Sequence, residues 1–160
     1  MRLPGEILQG ILARATLVLL RVYLGVVFLI AAVPKLQADF TPGLTAFLEQ
    51  RALEQSHPFY RGFLQEVVLP NTQLFAALVT WGEFLVGVFL ILGLLTRLSA
   101  TVALLLTLNY MLAKGAWPWT PSSNDAAFAA ISLALAIGAA GRTLGLDAML
   151  AKRWPRSPFW

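Results

Sequence analysis

Leu74 to Leu95 reads LFAALVTWGEFLVGVFLILGLL, an apolar run interrupted by a single ionisable residue, Glu83. As a helix rising about 1.5 Å per residue, it is long enough to cross a hydrocarbon layer of about 30 Å. It also lacks the polar stripe that a helix on a water-facing core would show. The same character recurs on both sides, at about residues 15–36, 98–114 and 125–141. Thr96-Arg97 makes a tight turn between the second and third blocks, and Asn124-Asp125 stands where the N-cap of the fourth, Ala-rich block is expected. Across the 160 residues, 58% are apolar and 12% charged, against roughly 45–50% and about 25% in soluble domains. The blocks predict an all-α integral membrane protein, a four-transmembrane-helix bundle forming a single domain over residues 1–160.

Residues 37–73 form the longest connection. Phe40, Leu44, Phe47, Leu48 and Leu53 recur there near helical spacing, with Glu49, Gln50, Arg51 and Glu54 between them. That pattern predicts an amphipathic helix lying on the membrane surface or capping the bundle. Ser56 to Asn71, with Pro58 and Pro70, reads as a loop holding at most one more short helix. Its histidine, His57, is the only one in the chain and reads as a solvated loop residue. Trp117 and Trp119 read as anchors at the headgroup layer. The tail 142–160 mixes Lys152, Arg153 and Arg156 with Trp154, Phe159 and Trp160, and is expected to rest on the inner leaflet. The first block is expected to be a retained helix and not a signal peptide, because a secretory apolar region is roughly 7–15 residues long and carries no internal arginine.

Lysines and arginines set the orientation. With the N-terminus inside, the inner segments hold Arg2, Arg14, Arg97, Arg142, Lys152, Arg153 and Arg156, and the outer segments only Lys35, Arg51, Arg61 and Lys114. Both termini are therefore expected in the cytoplasm. The net charge of +4 does not point to nucleic acid, because the basic residues sit just beyond apolar segments and form no stripe. Zero cysteines exclude a disulfide, a thiolate metal site and a thiol nucleophile supplied by this chain, and one histidine excludes bis-histidine haem. Neither a metal nor a covalent cofactor is expected.

An ionisable side chain in hydrocarbon costs at least about 2.5–3.5 kcal/mol, so it faces the bundle interior and finds a partner. Arg21 and Glu83 are two such residues. Counted along their helices, Glu83 and Asn109 come to about the same depth, which predicts a hydrogen-bonded cluster of Glu83, Asn109 and Tyr110. Arg21 either climbs toward Glu83 or snorkels to the headgroups, and both remain open. The spacing Arg21-x3-Gly25-x9-Lys35 recurs as Glu83-x3-Gly87-x9-Arg97. Residues 14 apart differ by only about 40° around a helix. Each charge, glycine and terminal base should therefore share a packing face, with the glycines allowing close approach. Chance explains the repeat better than duplication. Whether Glu83 ties helices together or handles a ligand or proton is an even choice on this reading.

At these residues the sequence resembles the DoxX family of small bacterial membrane proteins, related to the DoxD-type subunit of thiosulfate:quinone oxidoreductase. The matching pieces are Arg21-Val-Tyr-Leu-Gly25-Val-Val-Phe28 leading to Lys35-Leu36, then Gly82-Glu83 followed by Gly87, Leu90, Gly93 and Thr96-Arg97. The resemblance implies a four-span protein of the bacterial cytoplasmic (inner) membrane, often described as oxidoreductase-like. It carries Arg21, Lys35, Glu83 and Arg97 over as site residues. Arg21, Lys35, Glu83, Arg97, Asn109 and Tyr110 together form the expected intramembrane polar site. The leading expectation is a subunit of a quinone-linked oxidoreductase that is not catalytic alone, working with the lipid bilayer and a redox partner subunit or as a homo-oligomer. A noncatalytic scaffold or assembly factor docking a periplasmic redox partner is the alternative. Small-solute transport ranks third, because no span is clearly interrupted near its middle.

Overall fold

The computed structural model describes residues 4–121, 123–138 and 140–155. Arg2, Arg156, Phe159 and Trp160, which entered the reading of topology and tail, lie outside them. The described residues are helical, with no strand among them. The helices are α1 (Pro4–Gln37), α2 (Thr41–Phe47), α3 (Leu53–Gln55), α4 (Pro58–Phe63), α5 (Thr72–Leu92), α6 (Thr96–Ala113), α7 (Asp125–Gly138) and α8 (Asp147–Arg153).

Among the described residues, three stretches are long and apolar enough to cross a membrane: Leu8–Gln37, Pro58–Leu92 and Thr96–Ala113. The fourth apolar helix, α7, has 14 residues. It rises about 21 Å, short of a hydrocarbon layer of about 30 Å. α1, α5, α6 and α7 pack as a closed ring in that order. Their shared core holds Leu24, Phe28, Leu90, Ala103 and Leu135, all buried. α1 and α5 approach most closely where two glycines meet. A Cβ on Gly25 would stand 2.8 Å from Ile91 Cγ1 and 3.0 Å from the Gly87 carbonyl oxygen, and one on Gly87 would stand 2.7 Å from Leu29 Cγ. The expected glycine packing face is therefore this helix pair.

The connection 37–73 is almost wholly helical, beyond what its sequence pattern predicts. Asp39 opens it with an Asx turn, its carboxylate accepting the Thr41 N–H at 2.9 Å. That bond holds the Asp39 carboxyl below its ordinary pKa. α2 then runs through a π-helical turn, Leu48–Ala52, into α3. After Ser56-His57, α4 continues through a second π-helical turn, Leu64–Val68, and a 3-10 turn, Leu69–Asn71, straight into α5. The expectation of a loop over Ser56–Asn71 is thus corrected. Pro58 occupies the first turn of α4, where its missing N–H is not needed. The wide turn ahead of Pro70 relieves the clash its ring would make with the Glu66 carbonyl in a regular helix. Leu48, Ala52, Leu64 and Val68 close a second, smaller core against Ala113, which fixes this cap to the end of α6.

His57 is not a solvated loop residue. It is buried, its Nε2 lies 3.1 Å from the Ala116 carbonyl oxygen, and its ring sits between Phe59 and Trp117. Trp117 and Trp119 stack on each other and stay exposed.

The opposite end is closed by the C-terminal segment. Gly93, with φ +64°, ends α5 in the left-handed conformation that glycine adopts without strain. Asp147 N–H donates to the Gly93 carbonyl at 2.8 Å. Its carboxylate accepts the Leu95 and Thr96 N–H groups at 2.7 and 2.9 Å, capping α6 from another part of the chain. The tail therefore docks into the bundle at Asp147 instead of only resting on lipid.

Candidate functional site

Glu83 lies midway along α5 and is 2% exposed. Two side chains reach it. Lys35 Nζ forms an ion pair and hydrogen bond with Oε2, and Tyr110 OH donates to Oε1 at 2.8 Å. Helix direction explains why residues at different heights meet. Side chains tilt toward the N-terminus of their own helix. α1 and α6 enter from the end held by Asp147, so Lys35 and Tyr110 lean back toward that end, while Glu83 on the oppositely directed α5 leans up to meet them. Each of these polar groups is thereby matched inside the bundle, as a membrane interior demands.

This cluster borders a chamber of about 460 Å³ between the four-helix ring and the helical cap formed by the connection 37–73. Phe28, Val79 and Phe128 wall it from the ring, and Phe40, Leu44 and Phe47 from the cap. Its remaining charged groups are Lys114 and Asp125. They pair at 3.0 Å, and Ser123 Oγ donates to the same Asp125 oxygen at 2.9 Å. Lys114 also stands 5.9 Å over the Tyr110 ring, so the two ion pairs meet around one tyrosine. The result is a mainly apolar compartment with two ion pairs and a phenol at its edge, the composition of a small-molecule pocket.

The other expected site residues lie elsewhere. Asn109 neighbours Tyr110 in sequence but is turned about 100° around the helix. It accepts a hydrogen bond from Tyr60 OH and donates to the Leu105 carbonyl at 2.8 Å. Arg21 is 1% exposed and points away from Glu83. It donates to the carbonyls of Ala140 at 3.0 Å, Thr143 at 3.4 Å and Leu144 at 2.8 Å, and so neither climbs toward Glu83 nor snorkels. Arg97 opens α6 at that same end, past the break at Gly93. The equal spacings Arg21 to Lys35 and Glu83 to Arg97 therefore differ in meaning: the first lies within one helix, and the second crosses a turn.

The matching of residues 16–157 by the family described as TQO small subunit DoxD joins this arrangement to a known lineage. The chain belongs to the DoxD family. No curated protein and no solved structure matches this DoxD-family chain. Among its described residues, no group of three or more His, Asp or Glu stands together as metal ligands. The sequence reading placed Glu83, Lys35 and Tyr110 among its site residues, but counted Lys114 only as a topology charge and read Asp125 as part of a helix cap. Their opposite signs at the two ends of the short connection 114–125 were the available signal for a pair.

Proposed function

We propose that this DoxD-family chain is the membrane subunit of a quinone-linked oxidoreductase in the bacterial inner membrane, and that its chamber receives the quinone ring. The observation that carries the reading is the buried Glu83, held by Lys35 and Tyr110 at the edge of an apolar chamber. The residues fit such a ring. Aromatic and aliphatic walls suit its faces, and the Lys35 ammonium, with N–H groups beyond the one given to Glu83, is a donor for a carbonyl oxygen. A bound quinone supplies a two-electron, two-proton acceptor. Lys35 then orients the ring, Tyr110 keeps its O–H on Glu83, and Glu83, coupled to both, holds or passes a proton at its carboxylate. With no cysteine in the chain, the electrons come from the substrate itself or from a cofactor-bearing partner subunit.

The same proposal includes four spans with both termini in the cytoplasm. α7 completes the ring between α6 and α1, and the basic residues Arg97, Arg142, Lys152 and Arg153 follow the inner end of the bundle.

Mass spectrometry of the gently solubilised native complex, wild type beside Glu83→Gln, tests the function. Bound quinone in the wild type that is lost in Glu83→Gln is the expected result. A stoichiometric partner retained in both, with quinone in neither, would instead make the chain a scaffold.

A further inference from the structure

Arg14 and Arg21 stand seven positions apart on α1, which places them within about 20° of each other around the helix and about 10 Å apart along it. Arg21 holds the backbone of the segment 140–144 to that side of α1 through the carbonyls of Ala140, Thr143 and Leu144. Arg14 meets the same segment nearer the helix N-terminus. It lines a hollow of about 310 Å³ whose other walls are Leu17 of α1, Gly138 at the end of α7, and Ala140, Arg142 and Thr143 beyond it. A Cβ on Gly138 would stand 3.0 Å from Leu17 Cδ1, so α7 closes on α1 there. The chain then leaves through the 3-10 turn Ala140–Arg142, which brings Arg142 to the same hollow as Arg14.

The depth of the hollow follows from the sequence. Arg14 is the last residue before the apolar block 15–36, and a helical side chain leans toward the N-terminus of its own helix, here away from the hydrocarbon. The hollow therefore stands at the level of lipid headgroups. Two guanidiniums share it, and no carboxylate stands among the described residues that line it. Like charges gathered in one concavity repel, and an anion between them relieves that repulsion. Each guanidinium presents paired N–H groups that match two oxygens of a phosphate, and Thr143 adds a hydroxyl donor. A headgroup ammonium would find no acidic partner here. Leu133 and Ile137, exposed on α7 just before Gly138, offer apolar surface to acyl chains outside the hollow.

Independently of the quinone reading, we infer that this hollow binds the phosphodiester of an anionic phospholipid, one whose headgroup carries no amine, between Arg14 and Arg142. Basic pockets between membrane helices take such headgroups.

Native mass spectrometry of the full-length protein in detergent, titrated with phosphatidylglycerol or with phosphatidylethanolamine of the same acyl chains, tests it. Wild type is expected to bind phosphatidylglycerol the more tightly. Arg14→Gln and Arg142→Gln should each weaken that binding about tenfold, roughly 1.4 kcal/mol. Lys152→Gln, at an exposed basic position of the same end outside the hollow, should leave it unchanged. Equal losses in all three variants would overturn the site and leave only general attraction between a basic surface and an acidic lipid. Equal binding of the two lipids to wild type would overturn the choice of an anionic headgroup. Inorganic phosphate at millimolar concentration is expected not to displace the lipid. Displacement that depends on the same two arginines would make this a site for free phosphate and overturn the lipid assignment. Arg14 is exposed, so Arg14→Gln decides the matter alone where Arg142→Gln does not accumulate.

Discussion

Lys35 and Glu83 stabilise the bundle as a pair and not as two separate contacts. Removing one partner of a buried ion pair leaves the other uncompensated, which costs about 3–5 kcal/mol, whereas replacing both by apolar residues is often neutral. Lys35→Met is therefore expected to lower stability in detergent clearly, and Lys35→Met with Glu83→Leu to recover most of it. Thermal unfolding of the single and double variants checks this, and additive losses would show that the two residues act independently. Tyr110→Phe deletes one hydrogen bond to a charged acceptor, worth about 1.5–3 kcal/mol. The single variant should thus fall between wild type and Lys35→Met in the same measurement. Glu83 was legible in the sequence because a lone acid in an apolar run has to be matched. Its partners were only half legible. Depth along a helix can be counted, and it selected both Asn109 and Tyr110, but the two point about 100° apart and only packing decides which faces inward. Arg21 was misread for a related reason. Its acceptors are backbone carbonyls of the segment 140–144, and no side-chain pattern announces those.

At the scale of helices, the closest contact in the bundle depends on the absence of two side chains. A Cβ on Gly87 would meet Leu29 Cγ at 2.7 Å and the Leu29 backbone nitrogen at 2.9 Å, and the backbone cannot rotate away as a side chain can. Gly87→Ala should push α1 and α5 apart and cost about 1–3 kcal/mol. Gly82 lies on the same helix, and a Cβ there would make ordinary contact with Leu106 at 3.5 Å. Gly82→Ala should therefore be neutral or stabilising by up to about 1 kcal/mol, through helix propensity. Melting temperatures of the two variants in one detergent decide the matter, and equal losses would show that the α1–α5 approach is not the tight joint. Both glycines were visible as letters, and the equal spacing singled out Gly87 correctly. The cap was less legible. Its apolar spacing signalled a helix over 40–53, but the π-helical turns Leu48–Ala52 and Leu64–Val68 have no sequence signature, and Pro58 and Pro70 read as breaks where the chain in fact stays helical.

The whole molecule separates two tasks by its two ends. The chamber and its ion pairs lie toward the cap, while the opposite end is a joint in which Arg21 and Asp147 hold the C-terminal segment to α1 and to the α5–α6 turn. Asp147 is fully buried and satisfies two N–H groups at the start of α6. Asp147→Ala is expected to cost at least the roughly 0.5–2 kcal/mol of a lost helix cap and to leave quinone bound per folded molecule unchanged. The joint also bears on how many times the chain crosses the membrane. Asp147 ties the residues after α7 to the α5–α6 turn, and Lys114 ties the residues before α7 to the chamber end of α6. The four-span proposal therefore expects α7 to return across the bilayer despite its 14 residues, with its two ends fastened to opposite ends of α6. A chain without cysteine allows this to be read directly. Gln50→Cys in the cap and Lys152→Cys in α8 are both exposed positions. In intact bacterial cells, a membrane-impermeant maleimide should label Gln50→Cys, and should label Lys152→Cys only after the membrane is opened. Labelling of both from outside would mean that α7 does not cross and that the three longer helices alone span the bilayer. Such a result would overturn the four-span proposal and the Asp147 cap together, because the segment holding Asp147 would then lie across the membrane from the start of α6.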